Sequence, residues 1–118
     1  MSVSLEWRQI NERVAVVTIS GRSSILDGSI VQQTARRMLE DGTRYFVFNL
    51  TSLSHMDSYG LGQLIATYLS VRDHGGDVKL VNPTPPVKEI LRNTRLNTVL
   101  EVFDSDDEAI NSIQQPQG

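Results

Sequence analysis

His55, Asp57 and Ser58 lie close together in the segment Leu53-Ser-His-Met-Asp-Ser-Tyr-Gly-Leu-Gly62. They are the residue types of a nucleophilic hydrolase triad. Their spacing does not suit one, because the base must reach both the nucleophile and an orienting carboxylate, which side chains so near in sequence cannot arrange. The chain also has no Gly-x-Ser-x-Gly elbow. A different chemistry fits better. Asp57 or Ser58 stands where a helix N-cap belongs, ahead of Leu61, Leu64, Ile65, Tyr68 and Leu69 at helical spacing. The run Tyr45-Phe-Val-Phe-Asn-Leu50 upstream reads as a buried strand. Functional groups in open α/β sheets gather at the carboxyl ends of strands, so the Ser58 hydroxyl is expected there, exposed. Gly60 and Gly62 carry no side chain that would keep another protein's backbone away.

A phosphate on Ser58 would meet the free N–H groups and the positive end of the following helix, so the fold could accept it. It would add roughly −1.5 to −2 charges beside Asp57 and repel a docked partner. Ordinary capping also accounts for Asp-Ser before a helix, and ordinary close packing for Gly-x-Gly, without any such switch.

Composition narrows the remaining chemistry. At 118 residues the chain suits one domain with one core. Hydrophobic residues make up 39% and charged residues 21%, a soluble balance. Cysteine is absent, which removes disulfides, thiol nucleophiles and cysteine-ligated metals. With only His55 and His74, a multi-histidine metal site is not expected, and no cofactor is indicated. Nucleotide loops of the Walker or Gly-x-Gly-x-x-Gly type do not occur. The net charge of −3 gives no footprint for direct nucleic-acid binding.

Met1 to Ile10 has no apolar core of a secretory leader, and no apolar run approaches the ~20 residues of a membrane span. No membrane insertion and a cytoplasmic location are therefore expected. His74 reads as a helix C-terminal cation, Arg36-Arg37 as a solvated helix face, and Asp104, Asp106, Asp107 and Glu108 as charges suited to a helix start. The sequon Asn49-Leu50-Thr51 reads as chance.

The elements that position Ser58 follow from periodicity. Leu5–Ile10 and Val14–Ile19 read as a hairpin turning at Asn11-Glu12, the second strand closing at Ser20-Gly21. Asp27 caps a helix to Glu40 that Gly42 ends. After the Tyr45–Leu50 strand, Thr51 to Gly60 reads as a turn-rich connection. The next helix ends at Gly75-Gly76, followed by a strand at Val78–Val81. Pro83, Pro85 and Pro86 then lead into a helix towards Arg95. A short strand at Val99–Phe103 and a last helix capped by Asp104 complete the order. Strands alternating with helices predict an α/β fold: a mixed, mostly parallel sheet of four to five strands flanked by about four helices. One domain is expected over 1–113, with a polar tail at 114–118 that frays.

The segment Leu53–Gly62 resembles the signature of the STAS domain, the fold of bacterial anti-sigma factor antagonists, where a similar Asp-Ser-x-Gly-Leu-Gly run follows the buried strand. The likeness extends more loosely to Ile19-Ser20-Gly21, Gly75 to Val81, Pro86-Val87-Lys88 and Leu91. It implies a single-domain STAS-like fold and a regulatory binding protein rather than an enzyme. The partner it implies is an anti-sigma factor serine kinase, which phosphorylates the serine matching Ser58 and is thereby released. Asp57, Gly60 and Gly62 would shape the helix start. Arg22, Ser23, Ser24, Asp57, Ser58, Tyr59 and Gly60 would form the partner surface.

Two residues depart from the family pattern. Arg22 stands where an acidic residue is common, and Tyr59 where a small serine is common. Tyr59 can anchor a partner or pack on the neighbouring loop. The second reading is a constitutive STAS subunit of a transport or stress-signalling complex, in which Ser58 is only a cap. A ligand-binding module is a weaker third. Whether the chain forms a dimer stays open at this level.

Overall fold

The computed structural model describes residues 3–23 and 29–114. The hairpin is β1 (Ser4–Gln9) and β2 (Val14–Ser23), antiparallel, with Trp7 opposite Val17. Its connection is an Asx turn: Asn11 Oδ1 accepts from the N–H groups of Arg13 and Val14, at 2.8 and 3.0 Å. Helix α1 (Ile30–Glu40) leads to β3 (Tyr45–Asn49), and a four-residue strand β4 (Leu53–Met56) precedes α2 (Ser58–Asp73). Then come β5 (Asp77–Val81), α3 (Pro85–Asn93), a 3-10 turn at Leu96–Thr98, β6 (Val102–Phe103) and α4 (Asp106–Gln114).

The main sheet runs in the order β1-β2-β3-β5-β6, and β4 pairs with β2 off this path. All pairings except β1 with β2 are parallel. The α/β class and the mixed, mostly parallel sheet with four helices match the sequence reading.

The parallel sheet buries both faces. Ala15, Val17, Phe46, Phe48, Val78 and Leu80 point to the large core, where Met38 of α1, Leu64 and Val71 of α2, and Val87 and Leu91 of α3 pack over them. Val16, Val47 and Val81 point the other way and meet Ala109 and Ile110 of α4. In β3 the consequence is complete burial: Phe46, Val47 and Phe48 are at most 1% exposed.

Three expectations need correction. First, β2 does not close at Gly21. It continues to Ser23 through an irregularity between Gly21 and Arg22, with Gly21 at φ 95°. The extra residue at the irregularity is Ser54 of the partner strand, and Gly21 supplies the backbone conformation with which β2 continues past it rather than stopping. Second, the turn-rich stretch after β3 contains β4, whose Leu53 and Met56 are buried. A strand of four residues held by a distant partner leaves little periodicity to read. Third, α4 is capped by Ser105 rather than Asp104: Ser105 Oγ accepts from Glu108 N at 3.2 Å and donates to Glu108 Oε1 at 3.4 Å. Asn49, of the sequon read as chance, has a structural role. Its side-chain amide donates to Asp106 at 2.8 Å and its Oδ1 accepts from Thr51 N. The expected cap Asp27 lies outside the described residues, as do the tail positions 115–118. Gln114, assigned to the tail, ends α4.

Among the described residues, Lys79 is the one buried charged side chain, on the second face at 9% exposure. Burial alone would lower its pKa. The hydrogen bond to Glu101 and the Asp77 carboxylate, 3.3 Å away, outweigh it, so the pKa is raised. The folded state thus favours the ammonium. This contribution is fully present below the unfolded lysine's pKa and is lost as pH rises through the higher folded one. Removing the pair with Lys79→Met should flatten the alkaline arm of stability above about pH 10, read by urea unfolding across pH.

Gly76 shows how close the backbones come. A Cβ there would lie 1.7 Å from the Arg44 carbonyl oxygen. Gly76→Ala should therefore cost about 3 kcal/mol or more in unfolding free energy, through overpacking against backbone that cannot yield.

Candidate functional site

The rim at the carboxyl ends of the parallel strands is built by β2 and β4. Past the irregularity after Gly21, Arg22 stands opposite His55 and Ser23 opposite Met56. Two hydrogen bonds tie the strands there: Gly21 N donates to Ser52 O, and Ser54 Oγ donates to Gly21 O, both at 3.0 Å. Immediately beyond Met56 the chain turns into α2. Asp57 is extended (φ −94°, ψ −176°), and its Oδ1 accepts from Gly60 N at 2.9 Å. Of the two cap candidates, Asp57 is the N-cap and Ser58 is the first helical residue.

That choice sets the chemistry. The Asp57 carboxylate occupies one free N–H of the helix start. Ser58 is exposed beside it, at the positive end of a 16-residue helix. Tyr59 is exposed at 37%, which leaves ring surface at the rim. Gly60 is buried. At Gly62 a Cβ would meet nothing within 4 Å, so the glycine leaves open space on the outside of the helix. The close-packing account of Gly-x-Gly therefore fails at Gly62.

The rim thus gathers Arg22, Asp57, Ser58 and Tyr59 through one strand pairing and one helix start. Ser23 joins them by its backbone register, and Ser24 lies outside the described residues. Sequence reasoning missed the β2–β4 pairing that brings Arg22 beside the segment. Leu53 and Met56 are three residues apart, with Ser54 passed over in the pairing, so the segment carries no period-two signal that would have disclosed the strand. His74 caps the far end of α2, its Nδ1 2.8 Å from Ser70 O. Among the described residues no group of three or more His, Asp or Glu side chains could hold a metal ion. No helix there is long and apolar enough to cross a membrane.

Removing the cap should be measurable. Asp57→Ala should lower unfolding free energy by about 1 kcal/mol, and Asp57→Asn by less, because the amide oxygen still accepts. Equal stability of Asp57→Ala and wild type would contradict the capping geometry.

Known proteins share this fold. The chain is 26% identical over 119 residues to the anti-sigma F factor antagonist of Paenibacillus polymyxa, covering 97% of each chain. An anti-sigma factor antagonist from Mycobacterium paratuberculosis superposes with a TM-score of 0.83 at 20% identity, over 96% of this chain and 95% of that one. The Bacillus cell fate determinant SpoIIAA in its phosphorylated form superposes at 0.76 and 17% identity, over 94% and 100%. The family model of the STAS domain matches residues 8–109. The chain belongs to the STAS domain family.

Proposed function

We propose that this protein is an anti-sigma factor antagonist that binds an anti-sigma factor serine kinase and is switched off by phosphorylation at Ser58. The observation that carries the reading is the exposed Ser58 hydroxyl at the first position of α2, with Asp57 as cap and the β2–β4 rim beside it. Relatives named anti-sigma factor antagonists at near full-length coverage support it, as does a phosphorylated form of a protein with the same fold.

The chain acts as substrate and ligand. The Ser58 oxygen forms a bond to the γ-phosphorus of ATP, the β–γ P–O bond breaks, ADP leaves, and the hydroxyl proton passes to a base on the kinase. The chain's part is placement. The helix start accepts the product's negative charge without a buried clash. The added charge next to Asp57 then repels a kinase surface shaped for the neutral hydroxyl. Arg22 and Ser23 belong to the same contact surface, with Tyr59 as its aromatic anchor. Gly62 keeps a side chain out of the approach, while the buried Gly60 gives its N–H to the Asp57 cap. Arg22 favours a partner more acidic at that point than one paired with an acidic loop.

Incubation with the cognate kinase and ATP, followed by peptide mass spectrometry, should place one phosphate on Ser58 and none on the Ser58→Ala variant. Ser58→Asp should recover less kinase in pull-down than wild type. Phosphate on another residue, or none at all, would overturn the switch. A complex indifferent to Ser58→Asp would point instead to a constitutive STAS subunit.

A further inference from the structure

β1 ends the sheet, and among the described residues no strand pairs with its outer edge. It is six residues long, with no proline, and its pairing with β2 is regular. An open edge of this kind is a template for another strand unless it is shortened, kinked or covered. The register with β2 fixes which groups face outward. Ile10 N donates to Val14 O at 2.9 Å, and the ladder continues with Arg8 opposite Val16 and Glu6 opposite Thr18. Backbone groups alternate in direction along an antiparallel strand. Glu6 and Arg8 therefore turn theirs to β2, while Leu5, Trp7 and Gln9 turn theirs to the open edge. Side chains alternate between faces, so Glu6 and Arg8 share one face and Leu5, Trp7 and Gln9 the other. Trp7 is 56% exposed. Arg8 stands 3.8 Å from Asp106 with 62% of its side chain exposed, so this ion pair leaves it able to reach outward.

We propose that this edge pairs with the same edge of a second copy of the chain, antiparallel about a two-fold axis at Trp7. Trp7 then lies opposite the partner's Trp7, and Leu5 opposite the partner's Gln9. Glu6 faces the partner's Arg8, and Arg8 faces the partner's Glu6. The outward N–H and C=O groups of Leu5, Trp7 and Gln9 meet their counterparts, and each charge meets its opposite. The smallest slips that keep those backbone groups paired are two residues either way. One places Glu6 against Glu6 and the other Arg8 against Arg8, and like charges directly opposite are unfavourable. The pattern Glu-Trp-Arg thus selects a single register, and the Trp7 pair adds aromatic contact area. A two-fold contact of this kind uses the edge once and closes at two copies. Its axis sits across from Val17, short of the rim beyond Gly21, so it draws on none of Arg22, Asp57 or Ser58.

Sedimentation velocity of the full chain should show a dimer at micromolar concentrations. Glu6→Arg and Arg8→Glu should each weaken self-association by about tenfold or more, with native circular dichroism. The double charge swap should restore it. The absence of cysteine makes a second test clean. Trp7→Cys should oxidise to a disulfide-linked dimer, since directly opposed residues lie about 5.5 Å apart, within disulfide reach. Leu69→Cys, at a 60% exposed position on α2, should not. Should a charge reversal unfold the chain, the cysteine pair decides alone. A monomer throughout, a dimer unmoved by charge reversal, or cross-linking as ready at position 69 as at position 7 would overturn the proposal.

Discussion

β2 changes parallel partners in mid-strand, and the rim depends on that change. Through Thr18 it pairs with β3, and from Gly21 onward with β4. The switch passes through one residue at φ 95°, a conformation that glycine adopts without a Cβ penalty. Without the continuation, β4 would have no strand to pair with. Arg22 would not stand beside His55, and the turn into α2 would lose the strand that aims it.

The placement of Ser58 is thus a product of tertiary pairing as much as of local cap chemistry. The cap decides that Ser58 is the first helical residue, exposed at the positive end of α2. The pairing decides what surrounds it. The core holds the two together: Leu53 and Met56 on β4 and Leu64 on α2 are all buried in the cluster under the helices.

This division explains what the sequence could and could not disclose. Elements with long, regular periodicity were legible, such as the apolar run of β3 and the Leu61–Leu69 repeat of α2. So was the candidate site, because Asp-Ser followed by two glycines is a local signal. The extension of β2 and the four residues of β4 were not, since both exist only by pairing with residues about 30 positions away. Gly21 misled because a glycine after a β-branched run marks a stop and a bulge alike. Ser105 was legible in principle, as Ser-Asp-Asp-Glu has the sequence pattern of a helix start, but the neighbouring aspartates offered a cap of the same chemistry.

The chain carries few side chains suited to catalysis, and the proposed role does not need them. A protein that is acted upon needs an exposed hydroxyl, a helix end that can accept added charge, and a surface that a partner can approach. Under the proposed role, the departures at Arg22 and Tyr59 fall on the partner surface and bear on which kinase fits rather than on whether the fold can carry the switch. The most direct test is calorimetric titration of the cognate kinase with unmodified protein and with protein phosphorylated at Ser58. The account predicts that phosphorylation weakens binding by about a hundredfold, of the order expected for a charge left opposed at a contact, with the circular dichroism spectrum unchanged. Equal affinity of the two forms would contradict it.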